Sequence, residues 1–176
     1  LNNKYGATIC QADQVGKKLQ KKGTPCFEAI VEHFGTDILD EKGELDRERL
    51  AEIVFSKKEE LSVLNGIIHP AVKEEIRRKI AKEERKNTNL FIVEAALLIE
   101  DNYEEICDEL WYVYVEDEIR KKRLIYARGY DARKVDDIIA AQLPKDVFLK
   151  HCDRVIDNNG VFEETKMQLD QIVADL

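Results

Sequence analysis

Few residues in this sequence could do chemistry. In NLFIVEAALLIE, Asn89 to Glu100, the apolar run Leu90, Phe91, Ile92, Val93 stops abruptly at Glu94. The run lacks period-2 alternation, which predicts a strand covered on both faces, as in a parallel sheet flanked by helices. Ligands of open α/β sheets bind at the carboxyl ends of strands, so Glu94 is a candidate binding carboxylate; it could equally cap a helical turn over Ala95 to Glu100. Asp13 follows the short apolar strand Ala7 to Cys10 and could be the N-cap of a helix starting near Gln14. A third group is basic: Arg120, Lys121, Lys122, Arg123, Arg128, Arg133 and Lys134. In an acidic protein such a run is ordinarily a solvated face. His151 beside Cys152 is no nucleophile pair, because sequence neighbours point to different faces of a helix or strand.

The elements that must position these groups alternate along the chain. Gly23 and Pro25 punctuate after the first helix, and apolar residues at 26, 27, 30, 31 and 34 make a helical stripe over Cys26 to Phe34, with His33 beside it. Past a turn at Lys42-Gly43, Asp46 is placed to cap a helix running to about Phe55, and Ser56 with Glu59 reads as a capping box for another. That helix is expected to stop near His69-Pro70, with the proline opening the next one. Leu110 to Val115 is a strand, Glu116 to Arg128 a helix, and Asp131 caps a helix ending near Gln142. Arg154 to Ile156 is a last strand, Asp157 to Gly160 a turn, and Val161 to Leu176 an amphipathic helix. This order predicts an α/β fold with a parallel sheet and crossover helices. Residues 24–86 form a helical lobe inserted between two strands.

With 176 residues the chain can bury one core. Twenty-eight Lys and Arg against 36 Asp and Glu give a net charge of -8, which with no basic face argues against nucleic acid as a partner. No apolar run approaches the roughly 18 residues of a membrane helix, and LNNKYGATIC has no signal-peptide character, so no membrane is expected and the cytoplasm is the expected location. Cys10, Cys26, Cys107 and Cys152 form no CxxC pair and the histidines are only His33, His69 and His151. No metal site is expected from them.

Taken together the punctuation points resemble dephospho-coenzyme A kinase, the P-loop kinase family that phosphorylates the ribose 3′-hydroxyl of dephospho-CoA. The resemblance runs from about Ala7 to the final helix. It rests on Ala12-Asp13, Phe34-Gly35, Asp46-Arg47, Asn65 with His69-Pro70, Leu97-Leu98-Ile99-Glu100, the arginines after Glu116, Gln142, and Val155-Ile156-Asp157-Asn158-Asn159-Gly160. It implies a P-loop kinase-like parallel sheet flanked by helices, residues 1–23 and 87–176, with a helical lid at about 116–142 and a CoA-substrate lobe at 24–86. It also implies ATP and Mg2+ as cofactors and dephospho-CoA as substrate. Asp13 would be the base accepting the hydroxyl proton. His69, Glu94 and Arg47 would bind substrate, Arg123 and Arg128 would act on the transferring phosphate, and Asn158 would lie against adenine. Phosphoryl transfer needs positioning and charge neutralisation more than covalent help, which a carboxylate and guanidinium forks supply.

Three departures from the family pattern stand out. The acid-alanine-acid pattern after the strand is Gln11-Ala12-Asp13, and the usual Asp-x-Pro is Glu94-Ala95-Ala96. The Gly-rich loop G-x-x-x-x-G-K-[ST] occurs nowhere in the 176 residues. The sequence opens as the end of a helix, so a strand, that loop and most of a helix, on the order of 20 residues, are expected ahead of Leu1. Without them the chain is expected to be inactive. Two alternatives stand beside the kinase: a non-catalytic CoA- or nucleotide-binding protein, and a related small-molecule kinase.

Overall fold

Thr8, Ile9, Cys10 and Gln11 form strand β1 (Thr8–Gln11), which pairs in parallel with β2 (Phe91–Glu94) in the register Thr8↔Phe91 to Gln11↔Glu94. The computed structural model describes residues 2–176. It divides into two compact units, Leu1–Leu97 and Leu98–Leu176.

In the first unit, α1 (Asn2–Tyr5) precedes β1, as the helix end read from the sequence requires. Helix α2 (Ala12–Leu19) starts directly from the strand, and α3 (Pro25–Phe34) begins where Thr24 accepts a hydrogen bond from the Phe27 N–H at 3.1 Å with proline at the first helical position. Asp46 caps α4 (Arg47–Ser56) by accepting from the N–H groups of Glu48 and Arg49, as its position predicts. Cys26, Ile30, Ile38, Leu50, Val54 and Leu64 close into the core of this helical part.

Three expectations are corrected here. Ser56 is the last residue of α4 and no capping box forms. Its hydroxyl turns back to donate to the Ile53 carbonyl at 2.8 Å, and Lys57, in extended backbone, separates the helices. Helix α5 (Lys58–Glu84) does not stop at Pro70 but runs through it for 27 residues. Leu64, Val72 and Ile76, buried at spacings of eight and four, make one stripe across the proline; burying that stripe outweighs the one backbone bond a proline removes. Strand β2 is only partly covered: Phe91, Ile92 and Val93 are half-buried, and β1 is its one strand neighbour among the described residues.

In the second unit, β3 (Trp111–Tyr114) pairs in parallel with β4 (Arg154–Asp157). Ala95 to Glu100 is not helical. The stretch from Leu98 folds into turns closed by Asn102 N–H to Ile99 O (3.0 Å) and Tyr103 N–H to Leu98 O (2.9 Å), with Asn102 left-handed at φ 50°. Helices α6 (Asp117–Arg128) and α7 (Ala132–Ala140) follow β3, the second capped by Asp131 on the Lys134 N–H. A short helix that the sequence reading lacks, α8 (Lys145–His151), covers the aromatic face of β3. Phe148 stacks on Tyr112 with ring centroids 4.6 Å apart, and the Lys145 ammonium lies 3.9 Å from the Tyr114 ring centre. Helix α9 (Phe162–Ala174) packs on β4, with Ile156 and Thr165 buried between them. Among the described residues no helix is long and apolar enough to cross a membrane.

The strand pair is pinned at its start by a fork. Arg154 donates Nε and Nη2 to the two carboxylate oxygens of Glu109, each at 3.0 Å, and the Trp111 indole donates to the same group at 2.8 Å. The Arg154 guanidinium, then the indole, hold the Glu109 carboxyl below the usual carboxylate range. In the unfolded chain Glu109 has its ordinary proton affinity. The pair therefore contributes stability above the ordinary glutamate range and loses it as pH falls through the lower folded value. Glu109→Gln is expected to flatten the acid-side fall of the urea midpoint; an unchanged slope would show that the pair does not contribute.

Candidate active site

The parallel register makes Gln11 and Glu94 the last residues of their strands and sets them opposite each other. The Gln11 side-chain amide donates to Glu94 Oε2 at 3.1 Å, so an amide holds Glu94 at the position of the first acid in the acid-alanine-acid pattern. The capping alternative for Glu94 falls, because no helix starts there. Asp13 lies two residues past Gln11, in the first turn of α2, with its side chain exposed. It is not the N-cap: that position is Gln11, which makes no side-chain cap bond. No hydrogen bond or ion pair among the described residues engages the Asp13 carboxylate.

Gly16 brings α2 close to α5: a Cβ there would lie 3.6 Å from Val72 Cγ2 and 3.9 Å from Ile68 Cγ2. Half-buried His69 follows Ile68 directly on α5. Arg47 opens α4 and is exposed. Its neighbour Arg49 holds the local structure instead, with Nη1 donating to the Leu39 carbonyl at 3.1 Å and Nε 3.1 Å from Asp46.

In the second unit Arg123 and Asn158 are brought together. Arg123 Nη1 donates to the Asn158 carbonyl at 2.6 Å, and Nη2 to the carbonyls of Asn159 and Gly160, both at 3.1 Å. The turn they grip is ordered on its other sides as well. Asn159 Oδ1 accepts from the Glu116 N–H at 2.7 Å, and Asn158 Oδ1 from the Thr165 hydroxyl at 3.0 Å. Gln168 extends the grip by accepting from the Asp157 N–H and donating to its carbonyl, both at 2.8 Å. Arg128, at the end of α6, is exposed and stands apart from this cluster, beside the left-handed C-cap Gly129 at φ 63°.

The basic run is therefore not one uniform solvated face. Arg120 spans Gln142 Oε1 (2.6 Å) and Asp117 Oδ1 (2.8 Å), tying α6 to the end of α7, while its buried Nε has no partner among the described residues. Lys121 pairs with Asp136 across the same two helices at 2.7 Å. Gln168 and Thr165 carry no sequence signal beyond the amphipathic stripe of α9, so only the fold reveals their part in the turn.

Parallel strands joined through helices, with carboxylates at their carboxyl ends, make an α/β protein whose fold is consistent with the P-loop kinase-like class. The family model for dephospho-CoA kinase matches residues 1–164. The chain belongs to the dephospho-CoA kinase family. It is 37% identical over 164 residues to the dephospho-CoA kinase of Carboxydothermus hydrogenoformans, covering 93% of this chain and 80% of that one. It is 39% identical over 171 residues to that of Aquifex aeolicus (97% and 86%) and 36% identical over 176 residues to that of Corynebacterium glutamicum (100% and 90%). In fold it is similar to a crystal structure from Thermus thermophilus, with a TM-score of 0.79 and 24% identity, and to a dephospho-CoA kinase from Campylobacter jejuni, with 0.71 and 23%. Each alignment covers 99% of this chain and 87% of the other. The alternative of a binding protein without catalysis is not favoured.

Proposed function

We propose that this chain's residues serve the transfer of the γ-phosphoryl group of ATP to the ribose 3′-hydroxyl of dephospho-CoA, the last step of coenzyme A synthesis, in the following roles. Asp13 accepts the hydroxyl proton as the 3′-oxygen forms its bond to the γ-phosphorus. The bond from that phosphorus to the β–γ bridging oxygen breaks, and ADP leaves with the electron pair. Glu94, held by Gln11, together with His69 and Arg47, binds the CoA moiety, for which residues 24–86 are the lobe. In the lid, about 116–142, Arg128 neutralises charge on the transferring phosphate. Arg123 does the same with its guanidinium, which also holds the Asn158–Gly160 turn, with Asn158 against adenine. Residues 1–23 and 87–176 form the core that carries these groups.

Among the described residues no three His, Cys, Asp or Glu side chains converge as metal ligands. Mg2+, when bound with ATP, would supply charge neutralisation on the phosphates, and no described side chain is assigned to it. The compartment we propose is the cytoplasm.

The observation that carries this reading is the engagement of Glu94 by Gln11 beside an Asp13 carboxylate that no described residue occupies. With ATP and magnesium, the protein that carries this chain should release ADP with dephospho-CoA, and hardly at all with nucleosides, nucleoside monophosphates or shikimate. One coupled assay compares all four, and a preference for any of the others would move the protein to a different kinase family.

A further inference from the structure

Alongside β1, walled by α2 and the last turns of α5, the first unit holds a cavity of about 400 Å³ that begins at Gln11, the partner of Glu94, and extends to Glu83 at the far end of the strand. Three lysines line it, Lys18, Lys79 and Lys82, in a chain whose net charge is -8. The one carboxylate in the lining is already committed. Glu83 accepts from Lys86 Nζ at 2.6 Å, from the Thr88 hydroxyl at 2.9 Å and from the Thr8 hydroxyl at 3.3 Å. These donors, Lys86 first and Thr88 next, hold its carboxyl below the usual carboxylate range, so it stays an anion turned to that loop. Lys79 has Glu75 at a loose 3.8 Å. No ion pair among the described residues engages Lys18 or Lys82.

Gathering like charges around one cavity is unfavourable unless something of opposite sign enters it, and a compact dianion meets two or three ammonium groups at once. The walls are not wholly polar. Val15 and Phe91 give an apolar surface beside the lysines, and Gln14 adds an uncharged amide. Charge on one side and hydrocarbon on the other fit a phosphate ester better than a bare inorganic ion.

We propose that this cavity is a binding site for a phosphorylated organic small molecule, its phosphate held by Lys18, Lys79 and Lys82 and its apolar part lying on Val15 and Phe91. The proposal does not rest on the kinase reading.

The test uses the whole protein with its lysines ¹³C-methylated, a modification that keeps their charge, and follows the methyl signals by NMR. Phenyl phosphate, inorganic phosphate and sodium chloride are titrated separately at constant ionic strength, without magnesium. The Lys18, Lys79 and Lys82 signals, assigned by single Lys→Gln variants, should move saturably with phenyl phosphate and at lower concentration than with inorganic phosphate. They should stay still with chloride. The double variant Lys18→Gln/Lys82→Gln should bind phenyl phosphate at least about 10-fold more weakly, while Lys166→Gln, on exposed α9 surface, should bind it as wild type does. Circular dichroism confirms that the variants are folded, which substitution of exposed lysines leaves intact. Shifts that rise linearly or are shared evenly with Lys166 would overturn the proposal, as would binding by the double variant within twofold of wild type. Equal saturation by the two phosphates would refute an organic ligand. These signals are read without turnover, so the site and the kinase assignment can each fail alone.

Discussion

Asp13→Asn, in the protein that carries this chain, should lower turnover by roughly 10²–10⁴-fold with a smaller change in KM for dephospho-CoA, the loss expected when a positioned general base is removed. The substitution is nearly isosteric and the fold gives little reason for it to do harm elsewhere. Asp13 caps nothing, and Gln11 holds the N-cap position without a side-chain bond. What Asn would remove structurally is the attraction of a carboxylate to the start of α2, typically about 0.3–1 kcal/mol at an exposed first turn. A variant that turns over like wild type but melts slightly earlier would assign Asp13 to the helix and not to the reaction.

Arg123→Ala should reduce kcat/KM for ATP by about 100-fold, which corresponds to roughly 2.7 kcal/mol, about what one or two hydrogen bonds from a charged donor contribute. The guanidinium reaches three successive carbonyls of the Asn158–Gly160 turn. A lysine is a point donor and cannot span them, so Arg123→Lys should recover only a small part of the loss. Arg128→Ala should also slow transfer. Lys122→Ala and Lys121→Ala should change turnover little, since exposed charges and exposed pairs such as Lys121–Asp136 contribute little. Equal, small effects at all four positions would return the run to a solvated face.

Several local signals read from the sequence held, while the Ser56 capping box and the Asp13 N-cap did not. Asp46 and Asp131 cap the helices they were expected to cap, because an aspartate needs only the N–H groups two or three residues ahead. Strand edges came within a residue or two, since apolar runs ending in polar residues leave little choice. Ser56 misled because its hydroxyl had a second acceptor one turn back, and sequence cannot rank the two. Pro70 misled for a different reason: the rule that a proline ends a helix concerns the backbone, while the stripe through Leu64, Val72 and Ile76 is settled by packing. The grip of Arg123 was illegible, as its acceptors are backbone carbonyls 35–37 residues away, and every residue has a carbonyl. Short α8 was missed because seven residues give the periodicity too few turns to register.

Helix α5 has a mechanical meaning. Twenty-seven residues at 1.5 Å each make a strut of roughly 40 Å, with Leu64 set in the core of the helical part and Glu83 bonded to Thr8 on β1. Bending it at Pro70 would tear the same buried stripe on both sides of the bend. The backbone leaves the helical conformation only outside the helix, at Lys57, which is extended, and at Asn87, which is left-handed at φ 56°. Unbroken along its length, the helix ties the core of the helical part to the start of β1 as a single rod.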